Sequence, residues 1–97
     1  MEVIDRKFHI TATHLTKGTT FTSRDGVFFK AGDKGMVKML MAYRVICEDL
    51  GAEENQLRGI DLLIERVIRY QAEYPEKCKV ADIDPGMEEE YVCRPND

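Results

Sequence analysis

Hydrophobic positions change their rhythm partway along these 97 residues. In "KFHITAT" (7–13) they alternate, with Phe8, Ile10 and Ala12 on one side and Lys7, His9, Thr11 and Thr13 on the other. A period of two is that of a half-buried strand. "TTFTS" (19–23) is rich in β-branched residues and predicts a second strand, with the Gly-containing "HLTKGTT" as the turn between them. Asp25-Gly26 is a tight-turn signal that leads into "VFFK" (27–30) as a third strand. These patterns predict a small antiparallel β-meander over residues 6–30.

Beyond residue 33 the apolar spacing lengthens to that of helices. Asp33 is placed to cap a first helix over 33–50, since its carboxylate can accept from the free N–H groups of a first turn. Gly51 then supplies a left-handed stop. A second helix over 53–74 begins with Glu53 and Glu54, whose negative charge suits the helix dipole, and ends before Pro75. With only Gly51 and Ala52 between them, the helices fold back as an antiparallel hairpin. Residues 75–97, with "DPG" as a turn and "MEEEY" near the end, read as an extended acidic tail. The expected fold class is therefore α+β, a single domain over 1–97: meander, helical hairpin, tail.

The two helices differ in their faces. Helix two has one apolar seam, Leu57, Ile60, Ile64, Val67 and Gln71, with Leu63, Tyr70 and Tyr74 beside it. Helix one is apolar nearly all round: Met36, Leu40, Tyr43, Cys47 and Leu50 form one stripe, Val37, Met41 and Val45 another, and Met39, Ala42 and Ile46 fill much of the rest. A surface helix ordinarily carries a single apolar stripe. A small sheet and one partner helix offer too little surface to cover this one, which predicts a homo-oligomer with helix one in the interface. The alternative is that the sheet wraps one side of helix one and the tail the other.

Charge adds an asymmetry. Residues 1–50 hold eight Lys/Arg against six Asp/Glu, and residues 51–97 hold six against twelve, giving the net charge of −4. That balance argues against general nucleic-acid binding, which calls for a basic stripe, while leaving room for local attraction of a single anionic ligand. Cys47, Cys78 and Cys93 are odd in number and widely spaced, and "MEVIDRKFHI" is charged from its second residue. No apolar run reaches the length of a membrane span. The expectation is a reducing, cytoplasmic setting, no membrane partner and no disulfide framework.

Candidate chemistry centres on the joint "VFFKAGDKGMVKML" (27–40). Gly32 and Gly35 are only three apart and no Ser/Thr follows Lys34, so the P-loop pattern is missing. Asp33 would also set a negative charge in the mouth that a phosphate would occupy. Lys30 and Lys34 nevertheless flank the joint, and either Phe28 or Phe29 could present a ring beside them, an arrangement suited to a nucleobase carrying a phosphate. On helix two, Arg58–Asp61 and Glu65–Arg69 have the spacing of surface ion pairs, which leaves Arg66 the least encumbered. Arg44 interrupts an apolar helix and needs a partner: a ligand, water reached by snorkelling, or a carboxylate of the facing helix. His9 and His14 are five apart and the cysteines show no C-x-x-C, so neither a metal site nor a metal cofactor is expected. No G-x-S-x-G is present and a catalytic triad has no support, so the expectation is a protein that is not an enzyme, with no catalytic residues and no cofactors.

The segment from "GVFFKAGDKGMVKMLMAYRVICEDLGA" through "IDLLIERVIRYQAEYPEKCKVADID" resembles a family of short phage and prophage proteins. The likeness covers roughly residues 26–84: a strand ending in aromatics, an A-x-D-K-like helix start, a helical hairpin, then a proline and an extended tail. In outline the chain is also similar to phage anti-defence sponges, which sequester the cyclic nucleotide or cyclic ADP-ribose messengers of Thoeris and CBASS immunity. That resemblance implies aromatic rings and arginines drawn from more than one subunit; the matching residue types are Phe29, Tyr43, Arg44, Arg66, Arg69 and Tyr70.

Two expectations of different class follow. The first is an oligomeric, non-enzymatic binder of a small anionic nucleotide, with Lys30, Lys34, Arg44 and Arg66 neutralising phosphate and Phe29 or Tyr70 stacking on a base. The second is an interaction module, an inhibitor or adaptor gripping a host protein through the acidic Glu88, Glu89 and Glu90 or an uncovered part of helix one. A pocket lined by arginines at a subunit boundary would favour the first; a broad, shallow, acidic or apolar patch would favour the second.

Overall fold

The computed structural model describes residues 2–91. The chain is α+β, as its patterning implies: a two-stranded antiparallel sheet is followed by two packed helices and a third short one. Among the described residues, contacts gather into two compact units, one made of residues 2–28 together with 82–91, the other of residues 29–81. Residues 92–97 of the expected tail, Cys93 among them, lie outside the described residues.

In the first unit, β1 (Thr11–Thr13) pairs with β2 (Thr20–Thr22), with Ala12 opposite Phe21. The connecting turn is organised by His14, whose Nδ1 accepts from the Lys17 N–H at 3.0 Å, and by Gly18 at φ +72°. Only part of the alternating "KFHITAT" run enters the ladder, because side chains claim the earlier amides. Asp5, which is buried, accepts the Lys7 and Phe8 N–H groups on Oδ1 (2.9 and 2.7 Å) and the Phe28 N–H on Oδ2 (2.9 Å). Ser23, fully buried, donates from Oγ to the Phe8 carbonyl (2.7 Å) and accepts the Ile10 N–H (2.7 Å). The same contacts explain a correction: residues 27–30, expected as a third strand, form none. The Phe28 amide is held by a carboxylate, and its ring packs edge-on against Phe8 at 5.1 Å.

The expected tail is also partly helical. Pro75–Lys77 is a 3-10 turn, and α3 (Pro85–Glu89) is started by Asp84, which accepts from the Gly86 and Met87 N–H groups. Lys7 donates from Nζ to the Asp82 carbonyl at 2.8 Å, and Arg6 donates to the Glu88 carbonyl, so the later segment is laced to the first.

The second unit is built on the hairpin of α1 (Met36–Asp49) and α2 (Glu54–Glu73). Gly51, at φ +88°, turns the chain between them, and the Ala52 N–H closes onto the Cys47 carbonyl at 2.9 Å. Positive φ is what glycine supplies there without steric cost. Gln56 closes the start of α2 by accepting the Glu53 N–H at 2.8 Å. The seam read on α2 is the one that packs: Ile64 and Val67 are buried with Leu40, and Met36, Val37, Ile60 and Leu63 close around them. Gln71, at the end of that seam, donates to the carbonyls of Ala31 (2.9 Å) and Asp33 (2.8 Å), tying α2 to the chain entering α1.

Candidate functional site

The joint at 30–36 is closed by its own backbone. The Asp33 N–H donates to the Lys30 carbonyl (3.0 Å), Lys34 to the Lys79 carbonyl (3.0 Å) and Met36 to the Asp33 carbonyl (2.9 Å), while Gly35 donates to Asp33 Oδ1 (2.8 Å). The four successive amides of residues 33–36 are thus engaged within the chain and not turned toward a phosphate. Gly32 has a different task. The chain after the hairpin returns against it, its carbonyl accepts the Lys79 N–H at 3.0 Å, and a Cβ at this position would stand 2.5 Å from the Lys77 carbonyl oxygen. Asp33 is not the N-cap it was expected to be. Gly35 occupies that position and α1 starts at Met36, because Asp33 is drawn into a backbone bridge with Lys79.

Arg44 finds its partner inside the hairpin. Its Nε donates to Asp61 Oδ1 of α2 at 2.6 Å, and its Nη1 lies 3.2 Å from Glu48 Oε2 one turn along α1. The hydrogen bond to Asp61 raises the guanidinium above its ordinary value, so the group is charged at every accessible pH. Asp61 therefore serves Arg44 rather than Arg58, and the expected Glu65–Arg69 pair does not form among the described residues. Arg66 and Arg69 are exposed on α2. Arg66 directly precedes buried Val67 and so is turned about 100° from it, since an α-helix has 3.6 residues per turn.

The eight sequence-predicted binding residues are spread over three elements. Phe29, Lys30 and Lys34 are exposed on the chain leading into α1; Tyr43 and Arg44 stand on α1; Arg66, Arg69 and Tyr70 stand on α2. Tyr70 is half-buried with its ring 5.0 Å from that of Tyr74, over which Lys77 places its ammonium at 4.7 Å. A cleft of about 210 Å³ lies in the other unit, lined by Lys7, Asp82, Ile83, Asp84, Met87 and Glu88. It contains none of the eight. Its lining carries three carboxylates and one ammonium, the latter already bonded to a carbonyl, a balance that repels a phosphate. Among the described residues no three His, Cys, Asp or Glu side chains gather as a metal would require. No helix among them is long and apolar enough to cross a membrane.

One feature among the described residues has no assigned role: the outer flank of α1. Met39, Tyr43, Ile46 and Leu50 are exposed to 37%, 54%, 54% and 81%, and they follow one another at intervals of four, three and four. Residues at that spacing lie along one line of a helix and form the seam of coiled-coil pairs. The signal was present in the sequence, but only the facing of α2 separates this line from the inward Leu40 and Cys47, with which Tyr43 and Leu50 were grouped. Met41 and Val45 add further exposed apolar surface on another side. Beside the stripe, the neighbouring Cys47 thiol raises the Tyr43 phenol above its ordinary value.

Comparison with protein-family models, with curated proteins and with solved structures finds no match to this chain.

Proposed function

We infer that this chain is a non-enzymatic interaction module that works through the outer flank of α1. One observation carries the reading: the four-residue stripe Met39–Tyr43–Ile46–Leu50 stays exposed after the hairpin has closed its own core. Burying large side chains of this kind is worth about 1.5–3 kcal/mol each, so an uncovered row of them is a strong local drive to association. Contiguous apolar patches on soluble proteins mark interaction sites. An inhibitor or adaptor role, exerted by a phage-encoded protein, fits such a surface. The test is a photo-activated cross-linking residue at position 46, compared with the same residue at position 66 on α2. Cross-links to protein from 46 and none from 66 are expected; cross-linking at 66 alone, or at neither, removes the reading.

A second reading keeps one observation in its favour. Arg66 and Arg69 are exposed and have no ion pair among the described residues, so they are free to meet an anion. A homo-oligomer that brought them beside Phe29 or Tyr43 of another copy would sequester a small anionic nucleotide, as an anti-defence sponge does. Calorimetric titration with cyclic di- and trinucleotides and cyclic ADP-ribose isomers tests it. Heat that disappears in Arg66→Ala and Arg69→Ala supports it, and background heat throughout rejects it.

A further inference from the structure

We propose that the occupant of the α1 flank is a second copy of this chain, packed antiparallel about a two-fold axis that crosses the helix near Arg44 and Val45. The proposal rests on the reading of that flank as a protein-binding surface, and charge complementarity names the partner. Lys38 and Asp49 are exposed, stand eleven residues apart, and share one edge of α1 beside the stripe. Neither has an ion pair among the described residues. Eleven residues is close to three helical turns, so the two charges lie almost in line.

The positions fit one register. A two-fold contact matches residue i with j and j with i. Setting Met39 against Leu50 and Tyr43 against Ile46 of the other copy aligns the whole stripe with itself. The same register brings Lys38 to within about two residues, roughly 3 Å, of the position opposite Asp49. A parallel two-fold pairing would instead put the charged edges of the two copies on opposite sides of the seam, where neither meets the other. The antiparallel arrangement also opposes the two helix dipoles. Tyr43 contributes a rigid ring at the middle of the contact, where aromatic anchors carry most of an interface's energy.

Sedimentation velocity across the micromolar range tests this, with circular dichroism confirming helix content in each variant. The wild type should sediment as a dimer, and Ile46→Glu should raise the dissociation constant by at least about tenfold, as loss of a central apolar contact does. Lys38→Glu and Asp49→Lys should each weaken self-association by about five- to tenfold. Mixed together, those two variants should form a heterodimer close to wild-type affinity, because each carries what the other lacks; a parallel pair gives no such rescue. A monomeric wild type, or a mixture that fails to pair, overturns the proposal. If position 46 then cross-links to a different protein, the interaction reading survives with another occupant; cross-links to the chain's own segment beyond residue 82 overturn both.

Discussion

Replacing Gly32 by alanine isolates the contact that shapes the second unit. The new Cβ would meet the Lys77 carbonyl oxygen at 2.5 Å, whereas ordinary contact begins at 3.4 Å, so one backbone must retreat by about 0.9 Å (3.4 − 2.5). The obstacle is backbone and cannot rotate aside. A retreat of that size stretches the bonds joining Lys79 to Gly32 and Lys34, each 3.0 Å now, to about 3.9 Å, beyond hydrogen-bonding range. Two lost backbone hydrogen bonds at about 1 kcal/mol each, with residual crowding, give a loss on the order of 2–4 kcal/mol. For a domain of this size that lowers Tm by about 10–25 °C. The assay is urea and thermal unfolding followed by circular dichroism at the helix band, with Gly59→Ala measured alongside. Gly59 lies within α2 with nothing within 4 Å of a Cβ, so alanine there should stabilise by about 0.5–1 kcal/mol. The reasoning is refuted if Gly32→Ala unfolds at or above the wild-type midpoint.

Other substitutions probe the remaining joints. Asp5→Ala leaves the amides of Lys7, Phe8 and Phe28 without an acceptor; a loss of about 2–4 kcal/mol is expected, read as faster hydrogen exchange at those three amides. Gln71→Ala removes two hydrogen bonds to the chain entering α1 and should cost about 1–2 kcal/mol by urea unfolding, with no change in m-value. Arg44→Gln and Asp61→Asn should be non-additive in a double-mutant cycle, with a coupling that shrinks in high salt because the pair is partly exposed. Equal coupling at low and high salt would show that solvent does not reach the pair.

The hairpin was legible because its signals are local. The period of α2, the stop at Gly51 and the break at Pro75 are all written within a few residues of where they act. The sheet was less so, since Asp5 captures an amide twenty-three residues away, and no alternation within "VFFK" records that its hydrogen bonds are spent elsewhere. Asp33 failed as a cap for a similar reason: the returning chain at Lys79 bonds the joint and moves the helix start onward. Arg44 was readable as a charge in need of a partner, and a carboxylate of the facing helix was among the choices. That the choice fell on Asp61 depends on how the two helices are rotated against each other. The same rotation decided which apolar residues of α1 became core and which became surface, so the exposed stripe could be listed from the sequence only as part of an oily helix.

The bonds between Gly32, Lys34 and Lys79 have a topological consequence. They bring the start and finish of the hairpin segment side by side, while the first unit takes its chain from both ends of the sequence. The hairpin is therefore a cassette, threaded in and out through a single gate. A cassette with adjoining ends can be lengthened, shortened or exchanged without rethreading its host, and residues 29–81 are the natural piece to express alone or graft elsewhere.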